Sequence, residues 1–198
     1  MPPVADIQNR LLTVLSDCRS LFTHSRNPVA QHTPAGVESA FLEAFKAWEV
    51  FLEELTLAYL MGEPDITGNP APVAMTVVDE ETCRKIISGG RSYVSWSNPD
   101  DVRRRFSIYF LPSSLDQKLN ASITDLRDCL TCRNAIAHSS GSAYDELSKL
   151  WTKITGTAIA SLRTADVLQL PYVQNPPLTW FDRYLEIFDV SSNVLVTI

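Results

Sequence analysis

Cysteine is scarce in this chain, with four residues in 198. That is too few to staple a domain of this length and excludes a disulfide scaffold of the secreted kind. No apolar run approaches the roughly 18 residues that a membrane-spanning helix requires, so no membrane partner is expected. The opening Met1-Pro2-Pro3-Val4-Ala5-Asp6 lacks the basic-then-apolar order of a secretory leader. The expected location is therefore cytoplasmic. Internal repeats and low-complexity tracts are missing too. Positive charge is in short supply: 17 Lys and Arg face 23 Asp and Glu, a formal net charge of −6 and a pI near 5.0. Such a balance argues against a general polyanion-binding surface. It leaves room for a local basic cleft, because binding depends on where charge sits.

What is present is the composition of a folded domain, 45% hydrophobic and 20% charged. A chain of this length buries a substantial core, and a single domain over residues 1–198 is expected. Ile7, Leu11, Leu12, Val14, Leu15, Cys18, Leu21 and Phe22 recur at helical spacing and predict an amphipathic helix over 5–23. A polar break follows with His24, Arg26, Asn27, Pro28 and His32, both histidines reading as surface residues. Thr33-Pro34 has the form of an N-cap with proline at the first helical position. Phe41, Phe45, Trp48, Leu52, Leu55 and Tyr59 then step by three and four into one core stripe, and Gly62 and Pro64 stop the helix. Glu38, Glu43, Glu49, Glu53 and Glu54 form a mostly solvated face. Within it Glu49 and Glu53, one turn apart, could support a site by reaching an arginine.

Residues 62–112 read as an insertion between core helices, beginning with an extended connection over 62–78. Asp79 caps a short helix to about Ile87, which Gly89-Gly90 ends. Arg84, Lys85, Arg91, Arg103, Arg104 and Arg105 outnumber Asp100 and Asp101, and Tyr93 and Trp96 lie among them. Cations interleaved with aromatics suit a nucleic-acid groove, through phosphate contact and base stacking. Arg84, Lys85, Arg103, Arg104 and Arg105 are the candidate substrate-binding residues. The plainer alternative is a helix from Asn98 or Pro99 with a solvated arginine face and Phe106, Ile108, Tyr109 and Phe110 buried.

Pro112-Ser113-Ser114 interrupts again, and Ser114 with Gln117 fits a capping box. Leu115, Leu119, Ile123, Leu126 and Leu130 predict one helix over 115–137. On it Cys129 and Cys132 share a face as two small buried hydrophobes. The competing zinc reading needs a second close pair of ligands that the sequence does not supply, so no metal or other cofactor is expected. After the loop Ser139-Ser140-Gly141-Ser142, the residues Leu147, Leu150, Trp151, Ile154, Ile159 and Leu162 predict a helix from Tyr144 to about Leu168, running through Gly156. Pro171, Pro176 and Pro177 set off a C-terminal appendage over 171–198. It is expected to be helical from Leu178 and to end, at Val194-Leu195-Val196-Thr197-Ile198, as a short strand or packed tail. Three or four long amphipathic helices argue for an α-helical bundle.

The chemistry-bearing stretch is 132–140, at the end of the predicted 115–137 helix. Arg133 falls three and seven residues after Leu130 and Leu126, beside the buried stripe, where a charge needs an acid, a phosphate or a subunit interface. His138 sits at the helix end. An imidazole exchanges protons near neutral pH, and a guanidinium grips phosphoryl oxygens bidentately. Asn134 lies four residues before His138, on the same face if the helix continues. The alternative is a pair without chemistry: an arginine in an internal salt bridge and a histidine capping carbonyls.

Arg133-Asn134-Ala135-Ile136-Ala137-His138 resembles the R-x4-6-H motif of the HEPN superfamily, in which a polar residue commonly follows the arginine. The helix around Trp48, Leu52, Leu55 and Tyr59 is similar to the second helix of prokaryotic HEPN proteins. The resemblance covers mainly residues 35–62 and 115–165. It implies an all-α bundle of four to five main helices and a homodimer in which two copies of the motif face each other. It also implies a metal-independent endoribonuclease of the toxin or antiphage-defence type. In that chemistry the RNA 2′-hydroxyl attacks the adjacent phosphate and leaves a 2′,3′-cyclic phosphate and a 5′-hydroxyl. Arg133, His138 and Asn134 are then the expected catalytic residues, with Ser139 in support. RNA and a cognate antitoxin or regulatory protein are the implied partners. Non-catalytic HEPN modules that bind RNA, nucleotide or a partner protein share the fold. One subset carries a modified tyrosine two residues after the histidine; here that position is Ser140, so AMPylation control is not implied.

Overall fold

Ile7, Leu11, Leu15, Cys18 and Phe22 are all buried, and their spacing winds α1 (Val4–Ser25) with one face inward. This is the computed structural model of the chain, and it describes residues 1–26, 34–91, 94–111 and 115–198. The expected Thr33 cap, His32, Tyr93 and the Ser114 capping box lie outside the described residues. The whole stripe Phe41, Phe45, Trp48, Leu52, Leu55 and Tyr59 is buried on α2 (Pro34–Leu60). Every residue from Leu55 to Leu60 is buried as well, so the last turn is enclosed on all sides. Gly62 ends the helix at φ 89°, a left-handed conformation open to glycine, with its N–H donating to the Tyr59 carbonyl at 3.0 Å.

Residues 62–78 are free of helix, as expected, but not extended throughout: Pro64 pairs antiparallel with Pro70 around a turn at 66–68, and the segment is tied to helices on both sides. Val77 N–H donates to Leu60 O, Ala74 N–H to Tyr109 O and Leu111 N–H to Pro72 O. Asp79 caps α3 (Glu80–Ser88) by accepting from Thr82 N–H at 2.8 Å. Asn98 caps α4 (Pro99–Tyr109), which has proline in its first turn. Val102, Phe106 and Tyr109 take the buried face of α4, so Ile108 is 59% exposed instead of buried.

The expected 115–137 helix is two helices, α5 (Leu115–Asn120) and α6 (Ile123–Ala137). Ala121 and Ser122 N–H groups bond to carbonyls three residues back, which tightens the turn and stops the helical ladder. The expected 144–168 helix is likewise divided. α7 (Gly141–Thr155) stops at Gly156, which takes φ 73°. α8 (Thr164–Gln169) begins only after an irregular stretch. β1 (Pro171–Gln174) and β2 (Pro177–Thr179) pair antiparallel, Gln174 opposite Pro177 and Val173 opposite Leu178. α9 (Trp180–Leu195) therefore starts two residues later than expected. Val194 and Leu195 finish this helix instead of forming a strand, and buried Val196 opens a short packed tail. Among the described residues the fold is thus mostly helical, nine helices with one hairpin near the C-terminus.

The chain forms two compact units. One comprises Met1–Thr13, Ala47–Thr124 and Phe188–Ile198. In its core Trp48 stacks on Phe51 and on Phe188, each at 5.4 Å, while Tyr59 meets Phe110 edge-on at 6.1 Å. The Tyr59 hydroxyl donates to Leu195 O at 2.9 Å. Asp65, only 4% exposed, accepts from Thr67 N–H, Thr67 Oγ1, Asn69 N–H and Ile198 N–H. Lys118 Nζ donates to the carbonyls of Val194 and Thr197, at the end of α9.

The other unit comprises Val14–Lys46 and Asp125–Ile187. Phe22 stacks on Phe181 at 4.0 Å, and Phe41 lies 6.0 Å from Tyr184. Each such large apolar side chain contributes about 1.5–3 kcal/mol on burial. Cys129 and Cys132 of α6 are fully buried free thiols in this core. Burial pushes both thiols well above the ordinary cysteine value. Trp180 contacts Tyr172 at 5.0 Å, edge to face.

Candidate functional site

α6 places the chemistry-bearing run. Its buried face is Leu126, Cys129 and Cys132. Arg133 follows one residue after Cys132 and is half-buried, at the margin of that face. Its Nη1 donates to Asn134 Oδ1 at 3.2 Å, so the two expected catalytic neighbours engage each other. Ala137 is the last helical residue, and His138 N–H still donates to Asn134 O at 2.9 Å. The chain then leaves the helix for three residues. Ser140 starts the next one, its Oγ accepting from Ala143 N–H at 3.3 Å as N-cap of α7.

His138 is held on this short junction, exposed, between the C-terminus of α6 and the N-terminus of α7. It lines a cavity of about 500 Å³, a volume typical of small-ligand sites. Besides His138, the polar walls are Glu38 of α2, Ser139, Ser140, Tyr144 of α7, Arg163 and Thr164 of α8. Arg133 and Asn134 do not line it. Within one chain, therefore, His138 and Ser139 share a cavity, whereas Arg133 and Asn134 sit one turn earlier outside it. Five polar lining residues, Glu38, Ser140, Tyr144, Arg163 and Thr164, were absent from the residues expected to form the site. Arg163 enters because the helix ends at Gly156, and a glycine inside a helical pattern was the available signal.

The basic stretch belongs to the other unit, together with Glu49 and Glu53. Arg84 donates to Glu53 and to Glu80. Burial lowers its pKa, and the two carboxylates more than offset that, holding the guanidinium above its ordinary value. Lys85 pairs with Glu81 at 2.6 Å and Arg104 with Asp101 at 2.9 Å. Arg103 Nε donates to Asp116 O at 3.4 Å. Arg105 lies over the Trp96 ring at 5.0 Å and donates to Ser95 O at 2.6 Å. Burial pulls its pKa below the ordinary arginine value. Glu53 does reach an arginine, yet the arginine is Arg84, so a supporting residue and a substrate-binding residue meet each other. Arg84, Lys85 and Arg91 rim a cavity of about 360 Å³ floored by Leu57, Ile87 and Trp96.

Among the described residues no group of three His, Cys, Asp or Glu side chains is arranged to hold a metal ion. Also among them, no helix is long and apolar enough to cross a membrane. No family model, curated protein or solved structure matches the chain.

Proposed function

We propose that this protein is a metal-independent endoribonuclease of the toxin or antiphage-defence type, built on an HEPN-like bundle and active as a homodimer. The observation that carries this reading is the position of His138. It is an exposed imidazole on the three-residue junction after α6, lining an open cavity, with Arg133 and Asn134 one turn before it. In the reaction the RNA 2′-oxygen forms a bond to the adjacent phosphorus as the bond to the 5′-oxygen breaks. The 2′-hydroxyl loses a proton and the 5′-oxygen gains one, and His138 transfers one of these. A guanidinium stabilises the charge that accumulates on the phosphoryl oxygens. Arg133 lies outside the cavity of its own His138, so a second copy of the chain supplies the arginine.

The test is incubation of RNA in EDTA with the wild type, His138→Ala and Arg133→Ala. The wild type is expected to leave 2′,3′-cyclic phosphate ends. Each variant should fall by about 100-fold or more, the scale of lost proton transfer or charge stabilisation. No cleavage by the wild type across varied RNAs, or equal cleavage by all three, rejects the proposal.

A second reading is a non-catalytic module that binds RNA, nucleotide or a partner protein. What favours it is the pairing of Arg84, Lys85 and Arg104 with glutamates and aspartate of their own unit. It predicts partner binding that survives His138→Ala, with no cleavage by any form.

A further inference from the structure

We infer that the cavity lined by His138 is a binding site for the phosphate of a nucleotide, and that Arg163, outside the arginine–histidine motif, is its anchoring cation. The inference deepens the reading of His138 given above, and its phosphate-binding part stands without it.

Arg163 has a fixed backbone and an uncommitted head. Its N–H donates to Asp166 Oδ2 at 2.8 Å, and its carbonyl accepts from Asp166 N–H at 3.0 Å. The neighbouring Ala165 N–H donates to Glu38 Oε1 at 3.2 Å, which ties this segment to α2. The residue itself is exposed. Among the described residues its guanidinium enters no ion pair, whereas Arg10, Arg19, Arg84, Arg104 and Arg183 each have a carboxylate. A planar fork fixed at its base and free at its tip is suited to bidentate capture of phosphate.

The walls reinforce that choice. Pro34 and Ala35 open α2, Gly141 opens α7, and all three line the cavity. Helices of 27 and 15 residues thus present their positive ends to it, and neither has an acid in its first turn. Among the described residues Glu38 is the one carboxylate in the lining, and it already accepts the Ala165 N–H. Tyr144 is 38% exposed, and its hydroxyl donates to Ala160 O at 3.2 Å, which holds the ring at the cavity wall. An anchored, accessible aromatic ring is what a base stacks on. Gly141 contributes no side chain, and a Cβ built there would meet nothing within 4 Å.

The ligand chemistry is a phosphate borne by a nucleoside, from either a free mononucleotide or a phosphodiester in RNA. The full-length protein is titrated calorimetrically with adenosine 3′-monophosphate, inorganic phosphate and a short single-stranded RNA. Arg163→Ala should weaken whichever of them binds by at least about tenfold, and Arg163→Lys should weaken it less. Gly141→Leu fills the cavity from a site with open space, so it should also abolish binding while keeping the melting temperature. Binding of RNA alone assigns the site to strand phosphodiesters; binding of the mononucleotide as well assigns it to the shared phosphate. Binding of all three probes unchanged by Arg163→Ala and Gly141→Leu, or no binding of any probe, overturns the inference. If Arg163 governs mononucleotide binding but no RNA is cleaved, only the nuclease proposal falls. If His138→Ala abolishes cleavage while Arg163→Ala changes neither KM nor kcat, only this inference falls.

Discussion

At the scale of single residues, Asp65 carries the clearest pH dependence. Burial of its carboxyl works upward, and hydrogen bonds from Thr67, Asn69 and Ile198 outweigh it, leaving a pKa of about 2 against an ordinary 3.8. A carboxylate depressed on folding contributes stability that is fully present above the unfolded value and is lost as pH falls through the folded one. Denaturant titrations should therefore show the wild type losing an increment of stability between pH 4 and 2, of a size set by that shift. Asp65→Asn should lack this increment and lose about 1.5–3 kcal/mol at neutral pH, the scale of hydrogen bonds to a charged group. Equal acid profiles for the two proteins would contradict this account. At this scale the sequence was legible where chemistry is local, as with the Asp79 cap or the position of His138 at a helix end. Arg163 was not legible, because its entry into the His138 cavity depends on chain direction after Gly156 and on the hydrogen bond from Ala165 to Glu38.

Elements were legible where an apolar period ran unbroken. The Phe41-to-Tyr59 stripe marked α2 because each of its positions faces a core. Periodicity failed at 115–137 and 144–168 for one shared reason: apolar residues on both sides of a break happened to stay in phase. Hydrogen bonds three residues back at Ala121 and Ser122, and the left-handed backbone at Gly156, then decided the boundaries. Gly156 supports a direct test. Gly156→Val places a β-branched residue at φ 73°, which should cost about 1–2 kcal/mol and lower the thermal midpoint by a few degrees. Gly141→Ala, in open space without positive φ, should stay within about 0.5 kcal/mol. Comparable losses at the two glycines would refute the backbone explanation.

For the whole molecule, charge and composition set what can be expected of partners. A net charge of −6, with Arg84, Lys85 and Arg104 of the basic stretch paired to acids, argues for a small number of phosphate contacts. Binding of single-stranded RNA should then have a shallow salt dependence, with a slope of roughly −0.7 per phosphate contacted. The proposed homodimer is checked by light scattering, which should give twice the 22.1 kDa chain mass. A mass of 22.1 kDa at concentrations where RNA is cleaved would remove the need for an arginine from a second copy. The four tryptophans divide evenly, Trp48 and Trp96 in the unit that contains Asp65, Trp151 and Trp180 in the other. Each unit thus carries its own optical reporter. With Trp151 and Trp180 replaced by Phe, emission from Trp48 and Trp96 should follow the acid loss of stability assigned to Asp65, and Asp65→Asn in the same background should remove that pH dependence.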